Sequence, residues 1–118
     1  MLVFQYPNCS TCKKALRWLQ GQNLEFQSIH IVESPPSADQ LEDWIQRSEL
    51  PIKRFFNTSG MSYRQGGFKE RLPNMSINEQ IAALAADGKL IKRPLVVTND
   101  AILVGFKEAE YEHTLKTG

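Results

Sequence analysis

Four residues, Cys9-Ser10-Thr11-Cys12, stand where the chain changes period from strand to helix. Ahead of them Leu2-Val3-Phe4 is a short apolar run of the kind a buried strand uses, and Tyr6-Pro7-Asn8 is the turn that leaves it. Behind them Cys12, Ala15, Leu16 and Leu19 recur at i, i+3, i+4 and i+7, which predicts an amphipathic helix ended by Gly21. Cys9 is then expected in the first helical turn. Unpaired backbone N–H groups and the positive end of the helix dipole favour a thiolate there. Lowering a cysteine's pKa in this way makes it reactive, because the thiolate is the nucleophile. Cys12, three residues on, is near enough to close a disulfide with Cys9. The pattern points to a redox or nucleophilic site.

Cysteine usage narrows the chemistry. These are the only two cysteines in 118 residues, too few for a secreted disulfide scaffold. A structural zinc site needs four ligands, and the two histidines, His30 and His113, have no ligand spacing, so no metal and no cofactor is expected. A lone CxxC at a strand–helix junction in a reducing compartment reads as thiol–disulfide chemistry. The bland alternative is a pair of inert buried thiols. Fourteen Lys and Arg against thirteen Asp and Glu leave a net charge of +1, which makes no electrostatic case for nucleic acid or membrane as the main partner. No charged leader with an apolar core and no membrane-length apolar run is visible, so a cytoplasmic protein is expected.

The rest of the chain reads as one domain over 1–118, without repeats or a linker. Leu24-Glu25-Phe26-Gln27 alternates in strand fashion into Ile29-His30-Ile31. Pro35-Pro36 breaks the chain, and Ser37 with Gln40 forms a capping box ahead of a helix marked by Leu41, Trp44, Ile45 and Ser48. Pro51 opens a short helical turn through Phe55-Phe56. Asn57-Thr58-Ser59-Gly60 and Gly66-Gly67 punctuate an irregular middle. Ser76 and Glu79 make a second capping box, with Ile77, Ile81, Leu84 and Ala85 lining a helix that stops at Gly88. Leu95-Val96-Val97-Thr98 and Ala101-Ile102-Leu103-Val104, joined by Asn99-Asp100, predict a hairpin, and a charged helical segment with Tyr111 and Leu115 follows. The order β-α-β, helices, β-β-α looks like a thioredoxin-type α/β fold. Residues of about 35–90 would then be a helical insertion in it.

At this point the chain resembles a known family over nearly its whole length. Tyr6-Pro7-Asn8-Cys9-Ser10-Thr11-Cys12-Lys13-Lys14 is similar to the active-site loop of the arsenate reductase–Spx group (with MgsR), a branch near the glutaredoxins. Ile91-Lys92-Arg93-Pro94-Leu95-Val96-Val97 resembles its Arg-Pro-(Ile/Leu)-Val segment, and Val104-Gly105-Phe106 the Val-Gly-(Phe/Tyr) ending of the Spx side. The resemblance implies a thioredoxin-like (glutaredoxin-like) fold with a mixed four-stranded sheet. It also implies Cys9 as nucleophile and a cis Arg93-Pro94 peptide beside it. Arg93 would hold the thiolate or an oxyanion by charge-assisted hydrogen bonds; without the family it reads as a surface arginine before a strand.

Two functions are implied. In the first, a thiol-dependent reductase, Cys9 attacks a small oxyanion or an oxidised thiol and Cys12 resolves the adduct. Thioredoxin, glutaredoxin or glutathione would then reduce the disulfide. Ser10, Thr11, Lys13 and Pro94 would bind substrate, although the hydroxyls of Ser10 and Thr11 equally suit helix capping. In the second, an Spx-type regulator, the CxxC is a redox switch and the partner is the RNA polymerase α subunit. The chain also departs from the reductases. They usually lack the second cysteine of the loop and carry more arginines around the oxyanion. Asn57 falls where one such arginine would stand, and Val104-Gly105-Phe106-Lys107 lacks another. Arg54, Arg64, Lys92 and Lys107 are the cations that could compensate.

Overall fold

A computed structural model describes residues 1–116. Four strands, β1 (Leu2–Gln5), β2 (Gln27–His30), β3 (Leu95–Val97) and β4 (Ile102–Val104), form one sheet in the order β2-β1-β3-β4. β1 runs parallel to β2 and antiparallel to β3, and β4 pairs antiparallel with β3, so the sheet is mixed as expected. Helix α1 (Ser10–Gly21) links the parallel pair. Helices α2 (Ala38–Ser48), α3 (Met61–Gln65), α4 (Phe68–Arg71) and α5 (Ile77–Ala86) lie between β2 and β3, and α6 (Glu108–Leu115) follows β4. None of the described helices is long and apolar enough to cross a membrane.

Strand alternation sorts the core into two layers, because successive side chains point to opposite faces. Phe4, Leu95, Val97, Ile102 and Val104 join the larger cluster with Leu41 and Trp44 of α2 and Ile81 and Leu84 of α5. Val3, Val96 and Leu103 point the other way and join Ala15 and Leu19 of α1 and Tyr111 of α6. With both faces covered, the strands have no reason to alternate with polar residues, which is why they read as continuous apolar runs.

Three expectations are corrected. The second strand begins at Gln27, not Leu24: Asn23 takes a positive φ of 56° and the Leu24 N–H returns to the Leu19 carbonyl, so residues 22–26 wrap the end of α1. Ile77 is not a core residue, being 55% exposed, and Gln80 takes an inward place because its Nε2 donates to the Met75 carbonyl at 3.1 Å. Finally, α5 ends at Ala86 and Gly88 starts a separate 3-10 turn. Both capping boxes form, Ser37 with Gln40 and Ser76 with Glu79.

Candidate active site

The site is assembled at the end of β1. After Gln5 the chain turns back so that the Cys9 N–H donates to the Tyr6 carbonyl at 3.1 Å. Cys9 itself is the N-cap of α1, with extended backbone, and its Sγ accepts the Cys12 N–H at 3.3 Å. A sulfur therefore occupies the place where a serine or aspartate oxygen commonly caps a helix. From sequence, capping is one of the two roles expected of the Ser10 and Thr11 hydroxyls. Instead Ser10 is the first helical residue and exposed, and Thr11 is half-buried behind it.

The two thiols differ in environment. Cys9 is half-buried and Cys12 fully buried, and both are free. Burial pushes the Cys9 thiol up, but the Cys12 thiol and N–H hydrogen-bonded to it and the positive charge of Arg93 outweigh this and hold it below its ordinary value. Cys12 is pushed up to about 12, first by burial and then by its hydrogen bond with Cys9. The thiolate is thus more accessible at Cys9 than at Cys12.

Arg93 reaches the site by register. Phe4 pairs with Leu95 across β1 and β3, and extending that antiparallel ladder two residues brings Tyr6 opposite Arg93. The Arg93-Pro94 peptide is cis, and Pro94 is buried. The guanidinium carbon stands 4.9 Å from the Tyr6 ring centroid, and Nη1 donates to the Lys89 carbonyl at 3.2 Å. Its Nε is buried with no hydrogen-bond partner. Lys13 is exposed on α1, its N–H donating to the Cys9 carbonyl at 3.0 Å, and the cation acting on Cys9 is Arg93. Tyr6, read from sequence only as part of a turn, is the contact that sequence reasoning missed. No local pattern marks a side chain whose partner lies at the far end of the chain.

Of the four candidate compensating cations, three gather. Phe56 bridges Ile91, with the Lys92 N–H donating to the Phe55 carbonyl at 2.8 Å, which sets Arg54 near Lys92. Together with Thr11, Gly105 and Lys107 they line a cleft of about 430 Å³. Arg64 instead donates to the Ser59 carbonyl at 3.0 Å. Asn57, at the position of the missing arginine, packs its amide against Gly60. Among the described residues no three His, Cys, Asp or Glu side chains gather to hold a metal.

The structure is similar to a putative ArsC family related protein from Bacteroides fragilis, at 51% identity and a TM-score of 0.92, covering 95% of this chain and 94% of that one. It is also similar to a possible arsenate reductase from Streptococcus mutans UA159, at 41% identity and a TM-score of 0.85, covering 90% of each. In sequence the chain is 49% identical to the uncharacterized protein YusI of Bacillus subtilis over 95% of both. More distantly, it is 24% identical to the regulatory protein MgsR of the same organism, over 93% of this chain and 86% of that one. Residues 4–114 match the ArsC family, and the chain belongs to it.

Proposed function

We propose that this member of the ArsC family is a thiol-dependent oxidoreductase in which Cys9 is the nucleophile and Cys12 the resolving thiol. The observation that carries it is Cys9 capping α1, with the Cys12 N–H on its sulfur and Arg93 beside it. The Cys9 thiolate bonds to the electrophilic atom of the substrate and displaces a leaving group: at the arsenic of arsenate an oxygen ligand, which takes up protons and departs as water, or at one sulfur of a disulfide the other sulfur, which departs as thiolate. Once Cys9 is no longer an anion, one of the influences that keep the Cys12 proton in place is gone. Cys12 loses that proton and attacks the Cys9 sulfur. The Cys9–Cys12 bond forms as the Cys9–substrate bond breaks, and two electrons leave with the reduced product. Thioredoxin, glutaredoxin or glutathione would return them.

The test is arsenate-dependent NADPH oxidation with the thioredoxin and glutaredoxin systems supplied in turn, beside Cys9→Ser and Cys12→Ser. Activity lost in Cys9→Ser supports the reading, and turnover retained there sinks it. A second reading, a redox-switched regulator, is favoured by the relation to MgsR. It requires capture of the RNA polymerase α subunit in one redox state; no binding in either state removes it.

A further inference from the structure

The cleft beside the CxxC loop has an electrostatic peculiarity. Arg54, Lys92 and Lys107 converge on it with Thr11 and Gly105, and no carboxylate is among the residues lining it. A second cleft of about 390 Å³ shares Arg54 and Lys92 and adds Lys53 and Thr58, so the cationic surface continues outward from the loop. Among the described residues the one ion pair within 4.0 Å joins Arg47 to Asp43; Arg54, Lys92 and Lys107 have no carboxylate partner. The chain has thirteen Asp and Glu against its fourteen Lys and Arg, so this absence is local and not a matter of composition.

The fold holds these cations together at some cost. Like charges brought close repel, and a concave wall concentrates their field. The Phe56–Ile91 bridge brings the segments of Arg54 and Lys92 together. Gly105, at a φ of +78°, has no Cβ, and the Lys92 Cε lies 3.5 Å from where one would be, so the lysine stem crosses the glycine. Arg93 is not part of this group. Tyr6, the Lys89 carbonyl and Cys9 engage it. Binding of the thiolate and attraction of a substrate's charge are thereby given to different cations.

From this we infer that the substrate is a protein disulfide whose reacting cysteine is flanked by acidic residues, the acidic segment lying along Lys107, Lys92, Arg54 and Lys53. A single oxyanion would be served by one end of this surface. Its extension over two adjoining clefts suits an extended chain carrying several carboxylates. The inference rests on the proposed thiol chemistry of Cys9. The Cys9 thiolate attacks one sulfur of the substrate S–S bond, forming a mixed disulfide and releasing the other sulfur as thiolate. Cys12 then displaces the substrate's first sulfur, leaving substrate dithiol and the Cys9–Cys12 disulfide, with two electrons passed to the substrate.

The experiment uses three synthetic peptides, each with one cysteine activated as a pyridyl disulfide and flanked by glutamate, glutamine or lysine. Release of pyridinethione is followed by stopped flow. The glutamate peptide is expected to react at least about tenfold faster than the glutamine peptide at low ionic strength, and the lysine peptide slowest. The ratio should fall toward one in high salt and in Arg54→Gln/Lys92→Gln/Lys107→Gln, three exposed positions whose neutralisation is checked for folding by circular dichroism. Equal rates for the three peptides, or a preference that survives in the triple variant, overturn this inference alone. If no peptide reacts faster than with Cys9→Ser, the thiol-chemistry reading falls and takes the inference with it.

Discussion

The guanidinium of Arg93 lies over the ring of Tyr6, 4.9 Å from carbon to centroid, while the backbone carbonyl of the same tyrosine accepts the Cys9 N–H. Tyr6 in turn meets the edge of His30 with ring centroids 5.5 Å apart, and His30 Nδ1 accepts the Val32 and Glu33 N–H groups. The cation beside Cys9 is therefore seated on a fixed ring.

Tyr6 should accordingly act on Cys9 through Arg93. A cation–π contact of this kind contributes about 0.5–1 kcal/mol. Tyr6→Leu is expected to raise the Cys9 pKa, and Tyr6→Phe to leave it low. The thiolate absorbance of a Cys12→Ser background, titrated in each variant, is the check. An unchanged titration in Tyr6→Leu would leave the ring a packing residue only.

Cys12 should make the fold sensitive to alkali. Its pKa is raised in the folded chain to about 12 from an ordinary 9.0, so between these values the folded state holds a proton that the unfolded state has lost. Stability then falls as pH rises through that window and is unaffected below it. Urea unfolding at neutral pH and above pH 9 should show a steeper alkaline loss for the natural chain than for Cys12→Ala. Parallel losses would mean that other groups carry the effect.

Tyr111 ties α6 to the strand end that borders the site. Its hydroxyl donates to the Gly105 carbonyl at 2.7 Å, and the side chain is fully buried. Tyr111→Phe keeps the ring but leaves that carbonyl without its donor, at an expected loss of about 1–3 kcal/mol. Denaturant titration reads this directly, and a loss below a few tenths would show that water replaces the hydroxyl.

Gly88 is a matter of space alone. A Cβ there would run into the backbone carbonyl of Ile31, which cannot swing aside as a side-chain tip can. Gly88→Ala is expected to destabilise the chain by about 1–3 kcal/mol. Stability equal to the natural chain's would mean that the turn at 88–90 shifts freely.

What the sequence made legible was local. The stripe Cys12, Ala15, Leu16 and Leu19 set the helix and its buried face; three of the four are fully buried and Leu16 packs at the margin. Ser37 and Ser76 marked their helix starts because a cap acts within one turn. The alternating stretch at Leu24–Phe26 misled because those residues close over the end of α1, a use that shares the strand's apolar spacing. At the site, the position of Cys9 at the head of α1 followed from period change alone. The Tyr6–Arg93 contact did not, since it exists only through the pairing of β1 with β3. The same holds for the cationic cleft, which depends on one bridge between Phe56 and Ile91.

The two-layered core has a practical consequence for watching the molecule unfold. The chain has two tryptophans, and each marks a different layer. Trp44 belongs to the larger cluster, tilted on Phe4 with centroids 5.5 Å apart. Trp18 lies against the smaller one, edge-on to Tyr111 at 5.8 Å. Trp18→Phe and Trp44→Phe thus each leave a single tryptophan, on opposite sides of the sheet. If the layers melt together, the two emission curves will superimpose; if the α1–α6 side loosens first, the Trp18 signal alone will report it.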